Sequence, residues 1–333
     1  MSHAADIVQD SVISISNLRK RFNLEAGFFA QLGRYVYAVN GVSFSIGRNE
    51  TYGLVGESGC GKTTTARLLV RMYEADEGEI LFQGQDNISA DVRKLKGAEF
   101  KRYREQVKYV FQDPARSLNP RMTVFEVLTS GARYSADPKS PLADRRKSSG
   151  LREEAAAILE EVGLSRNDLE RRPSEFSGGQ RQRISIARGL IMKPEILICD
   201  EVVSALDVSI QGQILNLLLD IRNRREISFL FIAHDLKVAL YFCDRIGVMY
   251  RGEIMEEAPV ANLWKEPLHP YTMLLFSSAG VGKTIPQGEV KSVTTESSGC
   301  AFAARCQYAE DRCFREKPEL REAGTSHFVR CWR

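Results

Sequence analysis

Short apolar runs alternate with stretches of helical periodicity along most of the chain. Ala155, Ile158, Leu159 and Val162 recur at the spacing of one helix face and are followed by Gly163, a residue typical of a helix C-terminus. Strands are predicted over residues 12–15, 42–46, 52–55, 80–82, 107–111, 196–199 and 229–232, and a further helix over 214–221. Strands that alternate with helices indicate an α/β fold with a mainly parallel sheet.

The pattern changes toward the C-terminus. Three prolines lie close together between residues 259 and 270, and residues 280–299 have no apolar periodicity. We therefore predict a large domain over residues 1–258, with a helical subdomain at about 114–190, followed by a C-terminal extension over 259–333.

Length and charge narrow the function classes. At 333 residues the chain is too long for one compact core, which agrees with a large and a small part. Lysine and arginine number 46 against 43 aspartates and glutamates, a balance that does not favour nucleic acid as a partner. No apolar run approaches the roughly 20 residues of a bilayer span. The N-terminus lacks a basic segment followed by an apolar one, so we expect a cytosolic protein in which disulfides are rare.

A glycine-rich turn follows the predicted strand 52–55. Residues 56–63 read GESGCGKT, which fits the phosphate-binding pattern of strand, loop and helix. Such a loop points backbone N–H groups at a phosphate, and we expect Lys62 to reach the β- and γ-phosphates while Thr63 holds Mg²⁺. The predicted ATP-binding residues here are Gly56, Glu57, Ser58, Gly59, Cys60, Gly61, Lys62, Thr63 and Thr64.

Acidic residues follow another predicted strand. Asp200 and Glu201 come directly after residues 196–199, at the sheet edge where an open α/β fold binds its ligand. Asp200 is predicted to orient Mg²⁺ and its waters, and Glu201 to polarise the attacking water as a general base. His234 follows strand 229–232 at the same edge and is predicted to contact the γ-phosphate.

A short motif between these elements points to a family. Residues 176–183 read FSGGQRQR, which in a chain with a phosphate loop resembles the ATP-binding subunits of ATP-binding cassette (ABC) transporters. The resemblance implies a P-loop NTPase of the ABC type, with a RecA-like core, an antiparallel β subdomain and a helical subdomain. It also implies that each ATP lies between two subunits, and that the residues contributed in trans are Ser177, Gly178, Gly179 and Gln180.

Other family elements match this sequence residue by residue. Gln112 resembles the glutamine that binds near Mg²⁺ and couples the site to the transmembrane partner. Residues 204–207, which end in Asp207, resemble the loop that crosses the dimer interface. His234 matches the switch histidine of the family. These matches imply that Gln112 joins Thr63 and Asp200 around Mg²⁺.

Two positions fit the family less regularly. An aromatic side chain stacks on adenine in these proteins, and Phe22 has the matching place, ahead of Tyr37, which follows an insertion. Relatives usually carry proline after the catalytic acid, whereas this chain has Val202. Because Glu201 is present, ATP hydrolysis is still expected.

Longer segments narrow the resemblance. Residues 113–122 (DPARSLNPRM) and 269–272 (HPYT) look like those of ATPases in oligopeptide and dipeptide importers. The insertion before Tyr37 and residues 59–61 are similar to the second of the two ATPases that such importers usually contain. The resemblance implies a heterodimer with the other ATPase, two transmembrane permease subunits and an extracytoplasmic solute-binding protein. It places the chain peripherally at the cytoplasmic face of the inner membrane.

Four of the seven cysteines, Cys300, Cys306, Cys313 and Cys331, are crowded into the C-terminal extension. Four thiolates can hold Zn²⁺ or a [4Fe-4S] cluster, and the spacing alone does not choose between them. Residues 300–306 resemble the tail of the same importer family, where a [4Fe-4S] cluster is bound, so we prefer the cluster. A metal site would supply the core that so short an extension lacks. Four separate buried thiols are the alternative.

The sequence thus predicts an ATPase subunit of a peptide importer, in which ATP-driven dimer closure moves the membrane subunits. A first alternative is an ABC ATPase outside transport that acts on nucleic acid or ribosomes. A second is an ATPase that is regulated by metal or redox state through its cysteine-rich tail.

Overall fold

The computed structural model describes residues 11–23, 35–84, 89–134, 148–280 and 298–333, with the backbone alone at 132–134 and 148–149. The strands are β1 (Ser11–Asn23), β2 (Tyr35–Gly47), β3 (Thr51–Val55), β4 (Glu77–Gln83), β5 (Ser89–Asp91), β6 (Val107–Val110), β7 (Ile196–Asp200), β8 (Ser228–Ala233), β9 (Arg245–Tyr250), β10 (Glu253–Pro259), β11 (Arg321–Gly324) and β12 (His327–Val329). The helices are α1 (Lys62–Leu69), α2 (Gly97–Gln106), α3 (Pro114–Ser117), α4 (Val124–Tyr134), α5 (Ser148–Glu161), α6 (Gly178–Leu190), α7 (Val208–Arg225), α8 (Leu236–Phe242), α9 (Val260–Lys265), α10 (Pro270–Ser278) and α11 (Asp311–Arg315). The insertion before Tyr37 lies mostly in residues 24–34, outside the described ranges.

The larger sheet has eight strands in the order β11, β12, β10, β9, β3, β8, β7 and β6. The five strands from β9 to β6 are parallel, and β10, β11 and β12 pair antiparallel at the other edge. Every residue of β3, β7 and β8 is buried, as expected for parallel strands that are covered on both faces. The predicted mainly parallel sheet is confirmed.

A smaller antiparallel sheet, in the order β2, β1, β4 and β5, packs on one face of the larger sheet. Alternate residues of β8 point to opposite faces of the larger sheet and pack in two different apolar clusters. Leu230 and Ile232 belong to the apolar cluster shared with the smaller sheet, whereas Phe229 and Phe231 belong to the cluster shared with the helices. Burial of each such side chain contributes about 1.5–3 kcal/mol.

The helical stretch between β6 and β7 follows the predicted periodicity. Ala155, Ile158, Leu159 and Val162 are all buried, and Gly163 ends that stretch with a φ angle of 75°. Within the described part of the chain, no helix is long and apolar enough to cross a bilayer.

The C-terminal residues join the larger sheet through a buried carboxylate. β12 pairs with β10, where Glu256 lies opposite Val329. The Glu256 side chain is fully buried, accepts the backbone N–H groups of Leu268 and His269 at 2.8 Å each, and lies 2.7 Å from Nε2 of His327. These bonds compensate the desolvation of Glu256 and fasten both ends of the extension to β10.

Candidate functional site

The register of the parallel strands brings the predicted site residues to one edge. Val55 at the end of β3 pairs with Ala233 at the end of β8, and Asp200 at the end of β7 pairs with Ile232. The phosphate loop, the acidic pair and His234 therefore leave the sheet side by side, at the carboxyl ends of its strands.

The glycine-rich loop has a shape that side chains would not allow. It leaves β3 at Gly56 and enters α1 after Gly61, and these residues have φ angles of 153° and 112°. A Cβ at Gly56 would lie 2.1 Å from the carbonyl oxygen of Met249, and one at Gly61 would lie 2.0 Å from that of Ala38. Glycine is therefore required at both positions for the loop to close against its neighbours.

Lys62 is buried against its own loop. It is 4% exposed, and its ammonium donates to the carbonyl oxygens of Gly56 at 2.7 Å and of Glu57 at 3.0 Å. The cation lies in the first turn of α1, where the helix dipole also favours a phosphate. Burial raises the pKa of the adjacent Cys60 thiol, so Cys60 is neutral and serves as a small packing residue in the loop.

Two of the three residues predicted to bind Mg²⁺, Thr63 and Asp200, are in contact, whereas the third, Gln112, bonds to Glu201. The Thr63 hydroxyl donates to one carboxylate oxygen of Asp200 at 2.9 Å. A residue that the sequence analysis missed completes the arrangement, because the Tyr109 hydroxyl on β6 donates to the other oxygen of Asp200 at 2.5 Å. Burial and the Asp200 charge raise the pKa of Tyr109, which keeps its proton available for this bond.

Substitution Tyr109→Phe removes one of the two bonds that orient Asp200. We expect the rate of ATP hydrolysis to fall about tenfold and the Mg²⁺ concentration for half-maximal rate to rise, since a hydrogen bond to a charged group contributes about 1.5–3 kcal/mol. A Mg²⁺ titration of the rate measures both effects. Tyr241→Phe is the matched control, because that exposed hydroxyl donates to Asn216. An unchanged Mg²⁺ dependence in Tyr109→Phe would count against this role.

Glu201 occupies a strained position beside two other predicted residues. Its φ angle is 48°, which is unusual for a residue with a side chain, and its backbone N–H donates to the carbonyl oxygen of Ile232 at 3.1 Å. Its carboxylate accepts a bond from Nε2 of Gln112 at 2.7 Å and lies 3.9 Å from Nδ1 of His234. The next residue, Val202, is buried. The three polar side chains thus converge where a water could be oriented.

A cleft of about 380 Å³ opens against the loop. Its wall includes residues from Ser58 to Thr64, together with Tyr37, Gln112 and Glu201. Phe22 is not among the described residues of this wall, and its ring lies 5.2 Å from that of Tyr73. Of the two aromatic residues predicted to meet adenine, the structure thus places Tyr37 in the wall of the cleft and Phe22 against Tyr73.

Arg251 is a second residue that the sequence analysis missed. It lines the same cleft directly after β9, and its buried Nε has no hydrogen-bond partner among the described residues. The positive charge of Arg251 in this wall suits an anionic ligand. Its position in the sequence could have identified Arg251, because a charged residue that directly follows a buried parallel strand lies at the same sheet edge as the phosphate loop.

The SGGQ motif starts α6 and lies outside the described wall of this cleft. Ser177 and Gln180 form a capping box, in which each side chain accepts a backbone N–H of the other residue, at 3.3 Å and 2.9 Å. Gly179 approaches α7, because a Cβ there would lie 2.8 Å from Ile210. Asp207 precedes α7 as its N-terminal boundary residue. The motif is thus a rigid, exposed helix start, away from the phosphate loop's own cleft.

The four cysteines of the extension, Cys300, Cys306, Cys313 and Cys331, line one cavity of about 320 Å³. All seven cysteines are free thiols. Burial raises the pKa of the Cys300 thiol to about 11 and also raises the pKa of the Cys306 thiol. Within the described ranges, no group of three or more His, Cys, Asp or Glu residues is arranged to hold a metal ion. The predicted metal-bound extension is therefore not confirmed, although its cysteines do come together.

Two family models match the chain. Residues 39–204 match the ABC transporter family, and residues 255–313 match the oligopeptide/dipeptide transporter, C-terminal region. Among solved structures, the dimeric post-hydrolysis state of the ATP-binding cassette MJ0796 bound to ADP and Pi is similar with a TM-score of 0.62 and 26% identity, over 74% of this chain and 98% of that one. This likeness confirms the predicted ABC-type P-loop fold.

Two relatives are similar over nearly the whole chain. The oligopeptide transport ATP-binding protein AppF of Bacillus subtilis is 41% identical over 97% of both chains. The probable peptide ABC transporter ATP-binding protein y4tS of Sinorhizobium fredii is 41% identical over 97% of this chain and 90% of that protein. Neither relative supports the alternatives of a nucleic-acid or ribosome ATPase. The chain therefore belongs to the ATP-binding proteins of the ABC transporter family and carries the C-terminal region of the oligopeptide/dipeptide transporters.

Proposed function

We propose that this chain is the ATP-hydrolysing subunit of a membrane importer for oligopeptides, dipeptides or related solutes. The observation that carries the proposal is the convergence of Lys62, Thr63, Asp200 and Glu201 at one sheet edge beside an open cleft. The names of AppF and y4tS, both peptide-transport ATP-binding proteins, support the cargo class.

The chemistry follows from the contacts of the site. The loop and Lys62 bind the phosphates of ATP. Thr63, Gln112 and Asp200 would hold Mg²⁺, and the ion would neutralise phosphate charge when bound. Glu201 orients the attacking water and accepts its proton, while the bond from Gln112 fixes the carboxylate. We assign the contact with the terminal phosphate to His234, whose Nδ1 lies 3.9 Å from the Glu201 carboxylate.

The exposed SGGQ helix start supports a site shared between two subunits. Ser177, Gly178 and Gly179 present a helix N-terminus to solvent, which suits the phosphates of an ATP bound by another ATPase subunit. The dimeric MJ0796 cassette shows that a related protein pairs in this family. Because the sequence resembles the second of two importer ATPases, we propose a heterodimer, bound to two permease subunits at the cytoplasmic face of the inner membrane and supplied by a solute-binding protein.

Purification of the tagged full chain from membranes tests this proposal. We expect two permease subunits and a second ATPase to copurify, and the complex to hydrolyse MgATP faster when peptide-loaded binding protein is added. A chain that copurifies instead with RNA or ribosomes through a high-salt wash, without any membrane protein, would refute the transport assignment.

We further propose that the four cysteines hold a [4Fe-4S] cluster rather than Zn²⁺. The four cysteines line one cavity of about 320 Å³, which leaves room for a group larger than a single ion. Four thiolates around Zn²⁺, at about 2.3 Å each, would close to a much smaller space. A bound cluster would supply a structural core for the extension, and its sulfur ligands would be Cys300, Cys306, Cys313 and Cys331.

Removal of one ligand tests the cluster. Anaerobically purified full chain is expected to contain about four iron atoms and matching acid-labile sulfide. Cys306→Ser should lose most of both, whereas Cys243→Ala, a buried cysteine outside the cavity, should keep them. Stoichiometric zinc without iron would contradict the cluster, and the absence of both metals would favour four separate thiols.

A further inference from the structure

The C-terminal extension reaches the phosphate loop through an arginine. Arg305 lies in the short 3₁₀ turn Ala303–Arg305, and its two terminal nitrogens donate to both carboxylate oxygens of Glu57, at 2.9 Å and 3.0 Å. Glu57 is the second residue of the loop. The Arg305 side chain is 10% exposed and that of Glu57 is 24% exposed, so this is a bidentate pair largely shielded from solvent.

The backbone of Glu57 is held from the same side. Its N–H donates to the hydroxyl oxygen of Tyr271 at 2.9 Å, and Tyr271 lies in α10 and is fully buried. Both the side chain and the main chain of one loop residue are therefore fixed by residues that follow β10. The carbonyl oxygen of Glu57 in turn accepts a bond from Lys62, so the contacts continue to the cation that meets the phosphates.

An aromatic cluster makes this connection stiff. The Phe302 ring lies 5.3 Å from that of Tyr250, 5.4 Å from that of Tyr271 and 5.8 Å from that of His269, between ring centroids. The Arg305 guanidinium lies over Phe302 and Tyr250 at 5.6 Å and 5.7 Å. Close-packed aromatic groups transmit a displacement instead of absorbing it.

The same segment also forms part of the cysteine-lined cavity. Cys306 follows Arg305 directly, and Cys300 precedes the aromatic Phe302 by two residues. One side of residues 300–306 therefore faces the cavity, while Arg305 reaches the phosphate loop. Because Arg305 and Cys306 are adjacent in sequence, a backbone shift at this part of the cavity wall also moves Arg305.

The charge of Glu57 predicts that the Arg305–Glu57 contact favours ATP binding. Glu57 carries a negative charge in the loop that must accept a polyanion, and at close range in a protein such a charge opposes phosphate binding. The Arg305 guanidinium neutralises this charge and orients the carboxylate through two hydrogen bonds. Loss of Arg305 would leave that carboxylate unpaired and the loop held by fewer contacts.

We propose that Arg305 is a positioning residue of the nucleotide site, through which the cysteine-rich extension and the phosphate loop stabilise each other. This inference rests on the proposed ATP site. Linkage requires the coupling to be reciprocal: if the extension strengthens ATP binding, then bound ATP must steady the extension by the same factor.

The ATP affinity of the full chain tests whether the extension strengthens ATP binding. We expect Arg305→Met to raise the dissociation constant about tenfold and Arg305→Lys to raise it less, because lysine keeps the charge without the fork. Arg315→Met is the matched control, since Arg315 is exposed and pairs with exposed Asp311, and it should bind like wild type. Wild-type affinity in Arg305→Met would overturn the proposal. A wild-type chain that fails to bind ATP would instead refute the proposed function.

Hydrogen exchange in the extension tests whether bound ATP steadies it, and this readout excludes a merely structural role. In the full chain as purified, MgATP should slow amide exchange of residues 300–306 several-fold in wild type and have no effect in Arg305→Met at saturating MgATP. Lys62→Ala, in which ATP binding is expected to be at least 100-fold weaker, should show no effect at an MgATP concentration that saturates wild type. Equal protection by ATP in wild type and in Arg305→Met would overturn the coupling.

Discussion

Replacement of Glu201 by glutamine is expected to lower the rate of MgATP hydrolysis at least 100-fold while ATP affinity changes less than threefold. The carboxylate is the group placed to take a proton from water, and loss of a general base costs about 10²–10⁴ in rate. Glutamine has nearly the same shape and can still accept the bond from Gln112, so the loop and the cleft should remain intact. Steady-state hydrolysis and equilibrium ATP binding separate the two effects.

The chain offers a matched control for this substitution. Glu226 also has a left-handed backbone, with a φ angle of 53° against 48° for Glu201, but it lies exposed at the end of α7. Glu226→Gln should hydrolyse ATP like wild type. Turnover of Glu201→Gln within threefold of wild type would remove Glu201 from the role of base.

Replacement of Lys62 by alanine is expected to weaken ATP binding at least 100-fold. The ammonium both reaches the phosphates and ties the loop through its bonds to Gly56 and Glu57, so one substitution removes a charge contact and loosens the cradle. Fluorescent-nucleotide binding or calorimetry on the full chain measures the loss.

Folding of the Lys62→Ala chain is checked by its thermal unfolding profile. Lys237→Ala is the control, because Lys237 is an exposed lysine in α8, close in sequence to His234. It should retain wild-type affinity. A folded Lys62→Ala chain that binds ATP within threefold of wild type would contradict the assignment of the loop.

Sequence patterns predict those parts of the fold that depend on residues close together in the chain. β3, β7 and β8 are buried on both faces, and burial on both faces appears in a sequence as an uninterrupted apolar run. The face of α5 repeats at helical spacing, and the glycine loop has its own strict order of residues. The same reasoning placed Asp200 and Glu201 at the correct sheet edge.

The remaining features depend on the order of strands in the sheet and on how the C-terminal extension packs against the phosphate loop. Neither can be predicted from a local sequence pattern. Tyr109 meets Asp200 because β6 is the neighbour of β7. Arg305 meets Glu57 across 248 positions of sequence. Which of Tyr37 and Phe22 faces the cleft depends likewise on the packing of β1 and β2, and the aromatic that stacks on adenine stays a prediction. The division at residue 259 stays a prediction.

The measurement that tests the central claim most directly is hydrolysis by a chain with an altered SGGQ helix start. Gly178 is exposed, and a Cβ there would meet nothing closer than Leu206 at 4.0 Å, so Gly178→Asp should fold. An aspartate at a helix start is tolerated, yet it would repel a phosphate bound by another subunit. We predict that isolated Gly178→Asp binds ATP like wild type, while the assembled transporter loses hydrolysis and Gly178→Ala retains it. Wild-type hydrolysis by the Gly178→Asp transporter, or loss of ATP binding by the isolated chain, would contradict a site completed by two subunits.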